Sequence, residues 1–156
     1  MNAKHYVSLE AAKMLKEKGY NEDCDYCFYY DDYHNKWDFD SPYNLFDDEP
    51  MYYNNDTIDD EMYSMPTLLE AMDWLESNGI HIEIRMMHCK VKGDPCKIAD
   101  DDEYQWKWYF AICKDDDVKH PIIEEGEDLG KDWYVVMHSD KNECMDAAVK
   151  KGVELL

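Results

Sequence analysis

Cysteines are the residues of this sequence that have the clearest capacity for chemistry. Cys24 and Cys27 have the CxxC spacing that can present two thiolates to a zinc ion. Cys89, Cys96 or His88 could complete a tetrahedral set, but a second CxxC motif and a closely spaced histidine pair are missing. Free thiols are therefore the favoured interpretation, and a zinc site is the alternative. An aromatic segment follows Cys27, where a thioredoxin-like motif would open a helix, and this disfavours redox catalysis.

Two histidines adjoin a nucleophile in the sequence, His88 before Cys89 and His138 before Ser139. Adjacent residues of a strand point to opposite faces, so neither pair predicts a catalytic contact. Gly-rich phosphate loops and the HExxH and GxSxG signatures are absent. We therefore expect no catalytic residue and no cofactor.

Acidic runs at 56–61, 100–103 and 115–117 could gather calcium or magnesium, which prefer clustered oxygen ligands. None has EF-hand spacing with a glycine at the sixth position, so a solvated surface is the favoured interpretation. Because the chain has 37 Asp and Glu residues, some close carboxylate pair will occur in any fold, and a glycosidase-type pair is not indicated.

Charge is the strongest compositional feature of the 156 residues: the formal net charge is −21 and the pI is near 4.4. Such a chain repels nucleic acid and anionic lipid, so we expect neither direct nucleic-acid binding nor membrane binding, and a protein partner with a basic surface. No signal-peptide core and no apolar run of about 20 residues is present, which predicts a cytoplasmic protein of the host cell with reduced thiols.

Hydrophobic content of 45%, with 14% aromatic residues, is enough for one core, so we expect a single domain over 1–156. Helical spacing predicts a first helix over 8–18, which Gly19 ends. Thr67 and Glu70 form a capping box that opens a second helix, which ends at Gly79. Apolar residues from 145 to 156 predict a third helix, capped by Ser139 or Asp140.

Strand patterns lie between these helices. Residues 24–30 and 36–39 predict a hairpin with a turn at 34–36, followed by a long acidic, aromatic-rich loop at about 40–62. Alternating apolar residues at 80–86, 106–112 and 133–137 predict a three-stranded antiparallel meander. The fold class is therefore α+β, with three helices on an antiparallel sheet in the order α-β-β-α-β-β-β-α.

Three stretches resemble a family of small uncharacterised proteins from phage, prophage and mobile-element regions of gut anaerobes. They are YVSLEAAKMLKEKGY at 6–20, YSMPTLLEAMDWL at 63–75 running into GIHI at 79–82, and the strand and helix at 133–156. Together they cover roughly half the chain. Family members carry smaller residues where Met65 stands and vary in the acidic loop. The resemblance implies the fold plan and no activity.

Aspartates alternate with tyrosines and tryptophans between residues 25 and 53. In one interpretation the rings pack beneath a solvated acidic surface; in the other, rings and carboxylates form an exposed patch for a basic partner. The candidate interaction residues are Asp31, Asp32, Tyr33, Trp37, Asp38, Asp40, Asp47, Asp48, Glu49, Tyr52 and Tyr53.

Three functional hypotheses follow. The leading one is a non-enzymatic acidic accessory protein of a phage or mobile element that binds a host or phage protein. The first alternative is a DNA mimic, whose carboxylates would occupy the basic groove of a nucleic-acid-binding protein. The second is a small zinc-binding protein or an unrecognised enzyme. Large residues on both faces of the strand at 105–113 also leave a homo-oligomer open, with the second face covered by the acidic loop or by another subunit.

Overall fold

A computed structural model describes residues 3–40, 53–90, 104–114, 123–124 and 138–156; for 40, 87–90, 104–105 and 123–124 the description covers the backbone. A short 3-10 helix occupies Ala3–His5. The helices are α1 (Leu9–Glu17), α2 (Leu68–Ser77) and α3 (Lys141–Glu154), and the strands are β1 (Cys27–Asp31), β2 (Lys36–Asp40), β3 (Tyr63–Ser64), β4 (Ile80–Lys90), β5 (Tyr104–Lys114) and β6 (Ile123–Glu124). Three helices with antiparallel sheets confirm the predicted α+β class.

The strands form two sheets, in the orders β2-β1-β3 and β4-β5-β6. Strands β3 and β6 have two residues each, too few to leave a periodic pattern, and the sequence did not predict them. The predicted third strand of the meander, at 133–137, lies outside the described residues. Next to it, His138 and Trp108 exchange two backbone hydrogen bonds of 2.8 Å.

The hairpin of β1 and β2 differs in detail from its prediction. Its first strand begins at Cys27, because Cys24 instead forms a bridge with Tyr53, with both backbone hydrogen bonds at 2.9 Å. The turn occupies 32–35, and Asn35 adopts a φ of 52°, a region that asparagine tolerates. The carboxylate of Asp31 accepts hydrogen bonds from the backbone nitrogens of Tyr33 and His34. The turn is therefore stabilised by the carboxylate of Asp31, the residue that precedes it.

The helix ends follow the sequence signals. The Ser8 hydroxyl accepts from the Ala11 backbone nitrogen, and both halves of the Thr67–Glu70 capping box are present. Gly19 and Gly79 have φ values of 88° and 81°, the left-handed conformation expected of a glycine that ends a helix. Of the two candidates for the third cap, Asp140 is the one that accepts backbone hydrogen bonds.

One hydrophobic core joins the three helices to β4 and β5. Helix α3 contacts α1, α2, β4 and β5, so it lies at the centre of the packing. Its residue Gly152 allows a close approach, because a Cβ atom there would lie 3.0 Å from Leu75 Cδ1 and 3.3 Å from Ile80 Cγ2. Burying each leucine or isoleucine of this core contributes about 1.5–3 kcal/mol. The helices thus cover one face of the long β4–β5 ribbon.

Candidate functional site

A groove of about 580 Å³ lies between the hairpin and the loop that precedes β3. Its walls are Tyr29, Tyr30 and Met62 together with four acidic residues, Asp32, Asp59, Asp60 and Glu61. We call this site the acidic groove. It combines aromatic surface with concentrated negative charge.

Asparagines shape the loop from 54 to 62. The Asn54 side-chain oxygen accepts from the backbone nitrogens of Asp56 and Thr57, which fixes a tight turn. Asn55 joins the loop to its surroundings: its side-chain nitrogen donates to the Tyr20 carbonyl at 2.7 Å, and its side-chain oxygen accepts from the Ser64 nitrogen at 3.1 Å. The loop is therefore attached both to the end of α1 and to β3.

Lysines of α1 contact the inner side of the same loop. Lys16 Nζ donates to the Met62 carbonyl at 2.8 Å, and to the carbonyls of Asp59 and Asp60 at 3.3 and 3.1 Å. The same ammonium group lies 5.3 Å from the centre of the Tyr63 ring. Because Lys16 binds backbone carbonyls, it leaves the carboxylates of the loop free to face the groove.

The carboxylates of the acidic groove have no direct side-chain partner within the part of the chain that the structure describes. Asp32, Asp59, Asp60 and Glu61 are exposed, and none makes a side-chain hydrogen bond or ion pair with another described residue. Exposed charges act over about 8–10 Å at physiological salt, so four carboxylates around one groove reinforce each other there. Such a site attracts cations and repels phosphate.

The hairpin residues predicted to form an interaction surface have different roles. Tyr33 is 91% exposed at the tip of the turn, and Asp32 lies in the acidic groove. Asp31 is engaged in the turn: His34 Nδ1 lies 2.6 Å from its carboxylate, and this contact is the main cause that lowers the pKa of Asp31. Asp38 pairs with Lys36 at 2.8 Å, which lowers the pKa of Asp38. These two carboxylates therefore have local partners.

Trp37 and Tyr53 are half-buried rather than open to solvent. The Trp37 ring packs against Tyr30 and Tyr63, and Lys13 Nζ lies 4.7 Å from its centre. Of Asp40 the structure describes the backbone, and Asp47, Asp48, Glu49 and Tyr52 lie outside the described residues. The structure thus brings Asp32 to 59–61, which the sequence had marked only as an acidic run.

The zinc candidates are placed as follows. Cys24 and Cys27 are 1% and 0% exposed, and burial raises the pKa of the Cys24 thiol to about 12. Cys89 is described by its backbone, in the other sheet, and Cys96 lies outside the described residues. Within the described ranges, no three metal-ligating side chains converge.

A second groove of about 590 Å³ lies where α1 and α3 begin. Its lining includes Phe28 and Met65, and several of the charges around it are paired within the chain. The Asp146 carboxylate accepts from the Ser8 backbone nitrogen at 2.7 Å and lies 3.4 Å from Lys150 Nζ. Lys4 pairs with the cap of α3. Among the described residues, this groove therefore has fewer unpaired carboxylates in its lining than the acidic groove has.

Strand β5 has covered residues on both faces. Ile112 belongs to the helix-covered core, whereas Ala111 and Cys113, on the opposite face, are also fully buried. Towards the other end of the ribbon, Trp106 and Met86 are 60% and 49% exposed. That the second face of this strand is covered by the acidic loop or by another subunit stays a prediction.

No protein-family model, curated protein or solved structure matches this chain. In the described part of the chain, no helix is both long enough and apolar enough to cross a membrane.

Proposed function

We propose that this protein is a non-enzymatic binding protein that holds a basic segment of another protein in the acidic groove. The observation that carries the proposal is the set of four exposed carboxylates, without partners among the described residues, beside Tyr29 and Tyr30. In line with the family resemblance, we propose that it acts as an accessory protein of a phage or mobile element on a host or phage protein.

The chemistry of the groove suits lysine and arginine side chains. Carboxylates pair with ammonium and guanidinium groups, and tyrosine rings attract the same cations through their faces. An exposed ion pair contributes only about 0.2–1 kcal/mol and an exposed cation–π contact about 0.5–1 kcal/mol. Several contacts must therefore act together, so the expected ligand is a segment with several basic residues and not a single lysine.

The net charge of −21 also favours a basic partner. A field of this sign accelerates the encounter with a basic protein and slows the encounter with nucleic acid. The DNA-mimic alternative requires carboxylates along one elongated face. It gains no support from the described carboxylates, which are spread over all three helices as well as the hairpin and its neighbouring loop.

A capture experiment with three proteins tests the proposal. The parent, a groove variant (D59N/D60N/E61Q) and a control variant (E17Q/D73N/E143Q) are immobilised and exposed to a bacterial lysate. Both variants lose three charges, but the control loses them from exposed positions on α1, α2 and α3. We expect the parent and the control to retain the same basic protein, and the groove variant to lose it.

The affinity of the captured protein is then measured with purified components at two salt concentrations. Binding that weakens with salt in the parent, and that is at least about tenfold weaker in the groove variant, fits several screened ion pairs. Equal retention by all three proteins would contradict the proposal, because general acidity would then explain the capture.

A further inference from the structure

Helix α1 carries a cation whose contacts shape the acidic groove. We infer that Lys16 is a positioning residue for the groove: its ammonium group holds residues 59–62 in the conformation that forms one wall. The inference rests on the proposed function, since it assigns Lys16 a role in the binding of the same basic segment. Lys16 itself does not line the groove.

The geometry around Lys16 Nζ supports this role. An ammonium group has three N–H donors, and three carbonyl oxygens, those of Asp59, Asp60 and Met62, lie within 3.3 Å of it. Within this turn the Met62 nitrogen also donates to the Asp59 carbonyl at 2.8 Å. Carbonyl dipoles that converge on one point repel each other unless a cation lies between them. The conformation of this turn therefore depends on the charge that it surrounds.

The charges around the loop support the same role for Lys16. Residues 59–61 are three consecutive acidic residues, and their carboxylates repel each other and favour an extended chain. Lys16 is half-buried on the inner side of the loop, where solvent screens its charge less than at the open surface. It therefore offsets the repulsion from behind and leaves the carboxylates available in front.

Lys13 provides a matched control on the same helix. Its Nζ lies 4.7 Å from the Trp37 ring and 5.4 Å from the Tyr63 ring, and it makes no hydrogen bond to the described part of the loop. Replacing Lys13 or Lys16 by methionine removes one positive charge and keeps a similar apolar stem. Only the Lys16 change removes the three carbonyl contacts.

Hydrogen exchange measured by mass spectrometry tests the conformational step. In K16M we expect the backbone amides of 57–63 to exchange about tenfold faster than in the parent, because charge-assisted hydrogen bonds are lost. In K13M they should remain within about threefold of the parent, because Lys13 makes no hydrogen bond to the described part of the loop. In K16R we expect exchange between that of K16M and that of the parent, since arginine keeps the charge but has a planar donor group. Unchanged exchange in K16M, or equal acceleration in K13M, would overturn the inference.

Binding of a fluorescent poly-lysine peptide tests the consequence for the groove. Both methionine variants are more negative than the parent, so net charge alone predicts slightly tighter binding by each. If Lys16 positions the loop, K16M should instead bind the peptide about fivefold or more weakly than the parent, and K16R should recover binding. K16M that binds as tightly as K13M would overturn the inference.

The same assay separates this inference from the proposed function. Equal poly-lysine binding by the groove variant and the control variant would refute the proposed function. The exchange rates of 57–63 would then still decide whether Lys16 holds the loop.

Discussion

Cys24 should be chemically inert in the folded protein, although it belongs to a CxxC motif. Its side chain is 1% exposed, and its sulfur lies 3.7 Å from the Tyr20 hydroxyl oxygen. Burial is the main cause that raises the pKa of the thiol to about 12, from 9.0. Only the thiolate attacks an alkylating reagent or binds zinc.

The size of the effect follows from these values. At about pH 8, a thiol with a pKa of about 12 is ionised to roughly one part in 10,000, whereas a thiol at 9.0 is ionised to about one part in ten. The thiolate population is therefore about 1,000-fold lower in the folded protein than in the unfolded chain. Restricted access of the reagent slows the reaction further.

Iodoacetamide labelling, with the modified residue located by fragment mass spectrometry, measures this difference. The rate at Cys24 is compared in native buffer and in concentrated urea, so that the unfolded chain serves as the internal control. A native rate within about tenfold of the unfolded rate would refute the reasoning about burial. So would stoichiometric zinc whose removal makes Cys24 reactive.

Three further predictions concern stability. T67A removes the hydroxyl that accepts a hydrogen bond from the Glu70 backbone nitrogen at 3.2 Å, and we expect the free energy of unfolding measured in urea to fall by about 1 kcal/mol. T67S keeps the hydroxyl and should unfold like the parent. Superimposed urea curves of T67A and the parent would contradict this. G152V places new atoms against Leu75 Cδ1, and we expect the free energy of unfolding to fall by about 1–3 kcal/mol and the Tm to fall with it. An unchanged Tm would count against the close packing of α3. Backbone hydrogen bonds lower the pKa of Asp140 in the folded protein. The contribution of its carboxylate to folding stability is therefore fully present above the ordinary pKa of 3.8, and it is lost as the pH falls through the pKa of the folded state. The difference in unfolding free energy between the parent and D140A should therefore become smaller in acid. A difference that stays constant from about pH 7 to about pH 3 would disprove this dependence on the ionisation of Asp140.

The helices were predictable because their signals are local. The Thr67–Glu70 capping box and the glycines at 19 and 79 involve residues only a few positions apart, and the structure has them where the sequence placed them. The β4–β5 ribbon follows from alternation in the same way. Very short strands such as β3 were missed, because their position depends on a partner far along the chain.

The candidate site was predictable only in its chemistry. Acidic and aromatic residues of the hairpin indicated a surface for a basic partner, but Asp31 and Asp38 have local partners and Trp37 is packed under Lys13. The groove instead joins Asp32 to residues 59–61. No pattern within either segment indicates that the two line one groove, because their proximity results from the attachment of a loop to α1 and β3.

The sequence by itself determined the net charge, the helix ends and the strand periodicity, because these depend on composition and on neighbours within a few residues. Tertiary structure decided which carboxylates have partners among the described residues and which face a common groove. The physical reason is that pairing and burial are set by distance in space, and here that distance joins residues that lie about thirty positions apart in the chain.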